Sequence, residues 1–476
     1  MEKANQQQTA PIPTVPSVKA ARPFGMRDKI GYMFGDLGNC FILGLLNAFL
    51  TIYYTNVMGI SGAVIGILFL TARFVDAFAD VTVGRLSDLA KLTPEGRFRP
   101  WIKWAKWPFC AIIIVIFLPL VKDFPMTVKI GYIFVTYLVY GVCLSCFNIP
   151  YGSLASAISS DPDHRASLSI YRSVGSAIGA GGVGFVLPLI VYTTSASGRQ
   201  ILSGTRLFYC AIGCVVLSFI CYNLLYRMST ERVRVEKKEN VKIGVLLKGM
   251  FTDRALMALV VVDLVVVVTT SLLGVTTTYM FTDYFQSKQA LSIALLFTYG
   301  TTVVLAPFAK WLNTRFGKKE ASSVALLFAA AMYLAMYLLH LHNVWVYLIM
   351  LLFATFGTAM FNLMIWAFIT DVIDNHQFVT GLREDGTVYG VNSFARKVAQ
   401  AIAGGAGGFL LAIVGYKTST TGGAVQSIAV LNRIYAAANL IPFVLLLIAG
   451  LTLLFWYPLN KQRIGYVDAE LEKINQ

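Results

Sequence analysis

The second apolar stretch of this sequence contains three ionisable side chains, in the segment TARFVDAFADVTVG. Arg73, Asp76 and Asp80 are three and four residues apart, so a helix places them on one face. A charge at the centre of a bilayer costs at least about 2.5–3.5 kcal/mol on insertion scales, which makes such residues functional candidates. Two carboxylates on adjacent turns suit a small hard cation, Na⁺ or Li⁺, or one shared proton. The alternative is a structural ion-pair cluster with no role in binding.

A lysine in a late apolar stretch, VNSFARKVAQAIAGGAGG, is a candidate counter-charge for these acids. Lys397 lies near the middle of its stretch, too deep for the amine to reach an interface. Its neighbour Arg396 points elsewhere around the helix. We therefore predict that Lys397 faces Asp76 and Asp80 across a central cavity.

Uncharged polar side chains interrupt other apolar stretches. Ser145 and Asn148 lie in LSCFNIPYGSL, where Pro150 loosens the helix. An asparagine offers both donors and an acceptor to a hydroxyl-rich ligand, although an interhelical hydrogen bond is the alternative. Arg172 reaches either the cavity or the cytoplasmic surface. The remaining candidates for the cavity wall are Asp36, Asn39 and Cys40 in the first stretch, and Asn362 and Trp366 in the tenth.

The composition of the chain indicates that these residues lie in membrane-spanning segments. Of the 476 residues, 57% are apolar and only 13% are charged, against about a quarter charged in soluble domains. The apolar blocks are continuous and about 20 residues long, which predicts membrane-spanning helices and not barrel strands. We predict an all-α membrane protein with spans near 30–54, 61–86, 105–122, 129–157, 166–193, 206–226, 256–284, 290–312, 321–340, 343–371, 387–415 and 431–457.

The charges in the loops predict the orientation. Basic residues are concentrated in alternate loops, so both termini are predicted to be cytoplasmic, in the cell membrane. The net charge of +15 is explained in this way without a nucleic-acid partner. All seven cysteines lie in apolar stretches, and the CxxC of Cys143 and Cys146 has no second pair to complete a zinc site. We expect no cofactor beyond a coupling cation, and a functional monomer.

A polar interval, Ser229–Lys242, divides the spans into two groups of six. The basic loops Gly84–Trp101 and Ala309–Lys319 occupy corresponding positions in the two groups. Two such halves around a central site are typical of transporters with internal repeats. The predicted organisation is a disordered tail (1–28), a first six-helix bundle (29–228), a cytoplasmic linker (229–248), a second bundle (249–457) and a second cytoplasmic tail (458–476).

These motifs carry a family resemblance. The first loop resembles the signature of the major facilitator superfamily, with Gly84, Asp88, Gly96, Arg97 and Arg99. From about residue 29 to residue 457 the chain resembles the glycoside–pentoside–hexuronide:cation symporters, the melibiose-permease-like branch of that superfamily. The motifs that carry the resemblance are Arg73-xx-Asp76-xxx-Asp80-xxx-Gly84, Gly96-Arg97-Phe98-Arg99-Pro100-Trp101, Asn148-Ile149-Pro150-Tyr151, and Lys397.

The resemblance implies a major facilitator fold of twelve transmembrane helices in two pseudo-symmetric bundles. It implies that Asp76, Asp80 and Ser145 bind the coupling cation. The positions that contact sugar in the family match Cys40, Asn148, Gly152, Arg172 and Lys397.

The chain also departs from the family's best-known member. In the melibiose permease, acids occupy the positions of Cys40 and Asn148, and tryptophans occupy those of Gly152 and Asn362. These changes argue against a melibiose-type galactoside. The GDxGN pattern of Asp36–Asn39 resembles the family's pentoside and glucuronide members, and we expect a xyloside or another plant-derived glycoside. We predict cation-coupled sugar symport by alternating access. The alternatives are a lysolipid carrier, a sugar exchanger and a transporter-like sensor.

Overall fold

The computed structural model describes residues 22–90, 93–159, 161–195, 199–232, 254–380 and 385–475. Within these ranges, long helices occupy the twelve predicted spans, and one shorter helix follows them. The helices are α1 Met26–Asn56, α2 Gly62–Leu89, α3 Arg99–Ile116, α4 Met126–Ile158, α5 Pro162–Val191, α6 Gly204–Met228, α7 Arg254–Tyr279, α8 Lys288–Phe316, α9 Lys318–Leu339, α10 Val344–Thr380, α11 Asp385–Val414, α12 Ile428–Leu451 and α13 Lys461–Asn475.

Several helices are longer than the spans predicted from hydropathy. Helix α10 continues to Thr380, beyond the predicted end at 371, and α1 begins at Met26, inside the segment predicted to be a tail. The reason is that hydropathy marks the lipid-facing part of a helix, whereas backbone hydrogen bonding continues into water. Eleven helices within the described residues are long and apolar enough to cross a membrane. Most of the predicted linker, from 233 onward, lies outside the described residues.

Helix α13 was missed because it is too polar to be a span. It lies in the segment predicted to be the second tail, after a one-turn π segment, Thr452–Trp456. Ile464 and Val467 share one face of it and line a small cavity together with Asp371 of α10. An apolar stripe packs this helix against the second bundle, and Lys461 Nζ also donates to the Arg315 carbonyl of α8 (3.2 Å), a mixed pattern that a search for continuous apolar blocks overlooks.

The two halves of the molecule repeat one packing pattern. In the first half α1 packs on α5 and α6, and α3 packs on α4 and α6. In the second half α7 packs on α11 and α12, and α9 packs on α10 and α12. The contacts between the halves obey the same symmetry, because α2 packs on α11 and α5 packs on α8. A central space therefore lies between two equivalent bundles, as expected for a repeat transporter.

The contact between α2 and α11 is close because glycines line it. A Cβ atom added to Gly408 would lie 2.4 Å from the backbone nitrogen of Gly66. One added to Gly62 would lie 2.6 Å from the carbonyl oxygen of Gly408. Small residues allow helix backbones to approach in this way within a membrane. The glycines of α11 therefore serve close helix packing, and their partners lie on α2.

One end of the space between the halves is closed by loop contacts. A short hairpin, β1 Tyr192–Thr194 and β2 Gln200–Leu202, connects α5 to α6. The Leu202 amide donates to the Gly422 carbonyl (3.0 Å), and the Ser419 amide donates to the Thr55 carbonyl (2.9 Å). Behind the loops, the Thr55 and Tyr279 hydroxyls lie 2.8 Å apart. These contacts join the two bundles at the end that carries the α1–α2 loop.

The opposite end carries the basic loop before α3, which is held by a carboxylate of the linker. Glu231 accepts hydrogen bonds from the backbone amides of Arg97 (2.7 Å), Phe98 (2.9 Å) and Arg99 (2.7 Å). Gly96, at φ +111°, leaves no room for a side chain beside this carboxylate. The acid therefore caps the N-terminus of α3, where unpaired amides and the helix dipole favour a negative charge.

Replacing Glu231 with alanine is expected to destabilise the first bundle by about 2 kcal/mol, because amides that donate to a charged acceptor lose it. Glu95→Ala is the matched control, since the Glu95 side chain is exposed and its ion pair with Lys103 at 3.5 Å is worth less than about 1 kcal/mol. Thermal unfolding in detergent measures both. Equal losses of stability in the two variants would contradict the assigned role of Glu231.

Candidate functional site

The acids and base of α2 lie on one face of the helix, as the spacing predicts. Asp80 is the centre of the cluster. Its Oδ1 accepts a hydrogen bond from the Ser145 hydroxyl of α4 (2.6 Å), and its Oδ2 accepts one from Lys397 Nζ of α11 (2.6 Å). Lys397 thus reaches across from the second bundle to the first, and the ion pair connects the two halves at the middle of the molecule.

Asp76 is one turn away and has a different environment. Its Oδ2 lies 3.4 Å from Arg73 Nη1, on the preceding turn. Its Oδ1 is buried and has no hydrogen-bond partner among the described residues. A buried carboxylate oxygen without a partner is costly, and a cation or a proton would satisfy it. Both carboxylate oxygens of Asp80 therefore accept hydrogen bonds, whereas one oxygen of Asp76 accepts none among the described residues.

A glycine of α4 makes room for that oxygen. A Cβ atom added to Gly141 would lie 1.9 Å from Asp76 Oδ1. Gly141→Ala is therefore expected to displace the carboxylate. If Asp76 takes part in cation binding, the cation concentration that half-saturates uptake should rise by at least about tenfold. Gly131→Ala on the same helix is the control, because nothing lies within 4 Å of its added Cβ. Uptake measured against cation concentration tests this, and an unchanged response for Gly141→Ala would contradict it.

A second ion pair lies between α1 and α5. Arg172 Nε donates to Asp36 Oδ1 at 3.3 Å, and the guanidinium lies over the Tyr151 ring of α4. One turn along α1, Cys40 Sγ lies 3.1 Å from the Ser176 hydroxyl. Of the two positions left open for Arg172, the structure therefore supports the one between the cavity-lining helices α1 and α4.

A chain of hydrogen bonds connects three polar side chains of the first bundle. The Tyr222 hydroxyl of α6 donates to Asn39 Oδ1 (2.9 Å), and Asn39 Nδ2 donates to Asn148 Oδ1 (2.7 Å). Asn148 thus forms an interhelical hydrogen bond, the alternative that its sequence context left open, and its Nδ2 has no hydrogen bond within the described ranges. Tyr222 could not be identified from the sequence, because a single tyrosine in an apolar stretch does not indicate a binding site.

The remaining predicted residues are less connected. A Cβ atom added to Gly152 would meet nothing within 4 Å, and the residue is exposed, at the position where the melibiose permease carries a tryptophan. Asn362 of α10 is half-buried. The side chain of Trp366 lies outside the described residues.

A third ion pair belongs to the second bundle, and sequence reasoning gave it no role. Asp263 of α7 is fully buried, 3.7 Å from Arg396 Nη1 of α11. Asp36 and Arg172 occupy the equivalent helices of the first bundle, α1 and α5. The signal that would have found this pair is the internal repeat, because each half has an acid in its first helix and an arginine in its fifth.

Comparison with known proteins identifies the fold and the family. A family profile described as MFS/sugar transport protein matches residues 31–461. The chain belongs to this family. The predicted branch, the glycoside–pentoside–hexuronide:cation symporters, is confirmed by relatives that share its length, and the protein is a transporter and not an enzyme.

Three relatives from Escherichia coli (strain K12) illustrate the similarity. The "Glucuronide carrier protein homolog" is 28% identical over 448 residues, covering 94% of this chain and 95% of the relative. The "Putative sulfoquinovose importer" is 28% identical over 459 residues, covering 95% and 94%. The "Putative glycoside/cation symporter YagG" is 27% identical over 457 residues, covering 94% and 95%.

Solved structures confirm the predicted major facilitator fold. An inward-open conformation of the xylose transporter XylE from E. coli superposes with a TM-score of 0.63 at 12% identity, covering 93% of this chain and 98% of that chain. A D-xylose-proton symporter superposes with a TM-score of 0.61 at 14% identity, covering 91% and 98%. Identities this low support the fold alone.

Proposed function

We propose that the protein is a cation-coupled symporter of a sugar or glycoside that works by alternating access. The observation that carries the proposal is the environment of the two acids. Asp80 accepts hydrogen bonds from Ser145 and Lys397, and the buried Oδ1 of Asp76, one turn away, has no partner among the described residues. An acid pair that can take a monovalent cation, Na⁺, Li⁺ or H⁺, therefore contacts a lysine from the opposite half. Relatives named as a glucuronide carrier and a glycoside/cation symporter support the substrate class.

The geometry provides a route for coupling. A cation that binds between Asp76 and Asp80 neutralises them and competes with Lys397 for Asp80. The ion pair between α2 and α11 then opens, and Lys397 becomes available to a sugar hydroxyl. The substrate side chains of the first bundle, Asn148 and Arg172, would complete the site. Binding of both solutes would thus precede the rocking of one bundle against the other.

The membrane topology follows as part of the same proposal. Both termini lie in the cytoplasm, so the loops that close the space between the bundles face outward and the central cavity opens inward. The protein functions as a monomer, because the proposed site is built from one chain. Reporter domains fused after residue 476 and inserted in the α1–α2 loop should report opposite sides of the membrane.

Uptake of radiolabelled glycosides by proteoliposomes, with imposed Na⁺ or pH gradients, tests the proposal. We expect saturable accumulation that requires one of the two gradients and collapses when it is dissipated. Saturable uptake that responds to neither gradient would instead favour the exchanger that the sequence left as an alternative. Inhibition by a lysolipid but by none of the sugars would favour the lysolipid carrier.

A further inference from the structure

We infer that Asp283 is a proton-binding site, separate from Asp76 and Asp80, and that it takes up its proton when the end of the molecule that carries the α1–α2 loop closes. The inference rests on the alternating access of the proposed function, but neither the sugar nor the coupling cation enters it. Three observations carry it: the position of Asp283 between the bundles, the lack of a cation paired with its carboxyl among the described residues, and the hydrogen bonds of that carboxyl.

Asp283 lies where the second bundle meets the first. It belongs to a one-turn π segment, Met280–Tyr284, which extends α7, and it is only 7% exposed. Its Oδ2 lies 3.0 Å from the hydroxyl of Tyr416, in the loop between α11 and α12. The same hydroxyl lies 3.1 Å from Oδ1 of Asn56, at the end of α1. A single phenol therefore connects the carboxyl to the first bundle.

Residues of the first bundle cover the carboxyl and its segment. Strand β2 packs on the π segment, and nearby the Gln200 amide donates to Gln286 Oε1 (3.1 Å). Gln286 Nε2 in turn donates to the Asp283 carbonyl (2.9 Å). Tyr192 of β1 is fully buried and interacts electrostatically with the carboxyl. When this end opens, the first bundle withdraws and water reaches the carboxyl, so Asp283 is dry in one conformation and hydrated in the other.

In the described part of the chain, no basic side chain forms an ion pair with Asp283. The basic side chains on the surrounding elements donate to main-chain carbonyls: Arg199 to Ala424 (3.0 Å), Lys288 to Tyr192 (3.3 Å) and Arg433 to Val414 (3.5 Å). Lys417 is exposed. The titratable groups that face the carboxyl are the phenols of Tyr192, Tyr279 and Tyr416, which carry no charge near neutral pH. An ionised carboxylate buried without a cation is costly, and a proton removes that cost.

The hydrogen bonds of the carboxyl fit its protonated form. Tyr416 has one hydroxyl proton, yet its oxygen lies beside two acceptor atoms, Asp283 Oδ2 and Asn56 Oδ1. Two arrangements supply the missing donor: Asn56 turns its amide over, or a protonated Asp283 donates to Tyr416, which then donates to Asn56. In the second arrangement Oδ2 can still accept from the Thr282 hydroxyl (3.2 Å). Only the second arrangement also removes the buried charge.

The direction of the pH dependence follows from the two environments of Asp283. Burial disfavours the charged form of an acid, so the closed conformation binds the proton more tightly than the open one does. Lowering the pH therefore favours closure, and raising the pH favours opening. For a single proton, the ratio of closed to open molecules changes by at most about tenfold per pH unit. Acid on the side that the α1–α2 loop faces thus holds the transporter closed toward that side.

Distances between spin labels at this end test the inference. Ser61 and Val425 are exposed in the α1–α2 and α11–α12 loops, one in each bundle. Ser61→Cys and Val425→Cys carry the labels in a full-length variant that lacks the seven native cysteines and retains uptake. Pulsed electron paramagnetic resonance in nanodiscs, without sugar and at constant Na⁺, gives the fractions of short and long separations. We expect the ratio of short to long separations to rise at least about threefold for each unit by which the pH falls.

Asp283→Asn should remove this response, because asparagine keeps the shape of the side chain and a donor for Tyr416 but has no charge to lose on closure. The labels should then remain mostly at the short separation at every pH. Asp123→Asn is the matched control, since Asp123 is an exposed acid in the turn after α3, at the same end of the molecule. It should respond to pH as the parent does. If Asp283→Asn does not fold, Asp283→Ser, which is smaller and also uncharged, takes its place.

The outcomes separate this inference from the proposed function. A ratio that does not change with pH, or that falls as the pH falls, overturns the proton site. A response of undiminished size in folded Asp283→Asn overturns the role of Asp283, because another acid then titrates. If only one separation occurs at every pH while the protein still accumulates sugar, the inference fails and the symporter proposal stands. One separation without any saturable uptake overturns the alternating access on which both rest.

Discussion

Replacing Asp76 with asparagine is expected to abolish accumulation of substrate against its gradient while leaving exchange across the membrane intact. The asparagine keeps the shape of the side chain, but it removes the negative charge with which the unpartnered Oδ1 of Asp76 would bind a cation. One positive charge crossing 100 mV supplies about 2.3 kcal/mol. At about 1.4 kcal/mol per tenfold, that supports roughly 50-fold accumulation, which the variant should lose entirely.

The measurement is the steady-state ratio of internal to external substrate in proteoliposomes, alongside counterflow without a gradient. Asp123→Asn serves as the control, because Asp123 lies exposed in the turn after α3 and should not alter the ratio. Concentrative uptake by Asp76→Asn would show that the coupling assignment is wrong. Loss of counterflow as well would indicate a folding defect, and Asp76→Glu, which restores the charge, would then be the decisive variant.

Gly408→Val is expected to reduce uptake by more than about tenfold, by preventing closure of the end that carries the α1–α2 loop. Even a Cβ atom at this position would lie 2.4 Å from the backbone of Gly66 and 2.7 Å from the Gly62 carbonyl, so α2 and α11 must separate. Backbone atoms of two helices cannot yield as a flexible side chain can, and overpacking of this kind costs about 1–3 kcal/mol or more. The conformation that requires the close contact is therefore depopulated.

Access to Cys40 from outside reports this shift. In a variant whose other six cysteines are alanine, a membrane-impermeant maleimide should label Cys40 faster after Gly408→Val. Gly182→Val on α5 is the control, because nothing lies within 4 Å of its added Cβ. Normal uptake and unchanged labelling of Gly408→Val would contradict the view that the α2–α11 contact closes this end.

The site residues that could be predicted from the sequence are those whose charge costs the most free energy in a bilayer. Asp76, Asp80 and Lys397 stand out because charges are rare in apolar stretches, and helical spacing alone puts the α2 residues on one face. That Lys397 reaches Asp80, and that Ser145 donates to it, depends on how α2, α4 and α11 pack. The fold was predictable for the same reason, since twelve apolar blocks and a central polar interval leave few architectures.

Other features depend on contacts that no local pattern encodes. Tyr222 matters only because Asn39 and Asn148 lie beside its hydroxyl, on helices far away in the sequence. Asp263 had no visible role until α7 and α11 were seen to repeat the arrangement of α1 and α5. Glu231 lies in a polar segment, where an acid is unremarkable, and its importance arises from three amides more than 130 residues away.

Three hydrogen bonds between the loops at the closed end run from main chain to main chain. Leu202 donates to the Gly422 carbonyl, Gly422 to the Asn56 carbonyl and Ser419 to the Thr55 carbonyl, all without side chains. Alanine substitutions leave these three bonds in place, unlike side-chain bonds such as that from Arg199 to the Ala424 carbonyl. Changes in loop length would break the bonds at once. Related chains can therefore change the side chains at these three donors more readily than they can change the lengths of the loops.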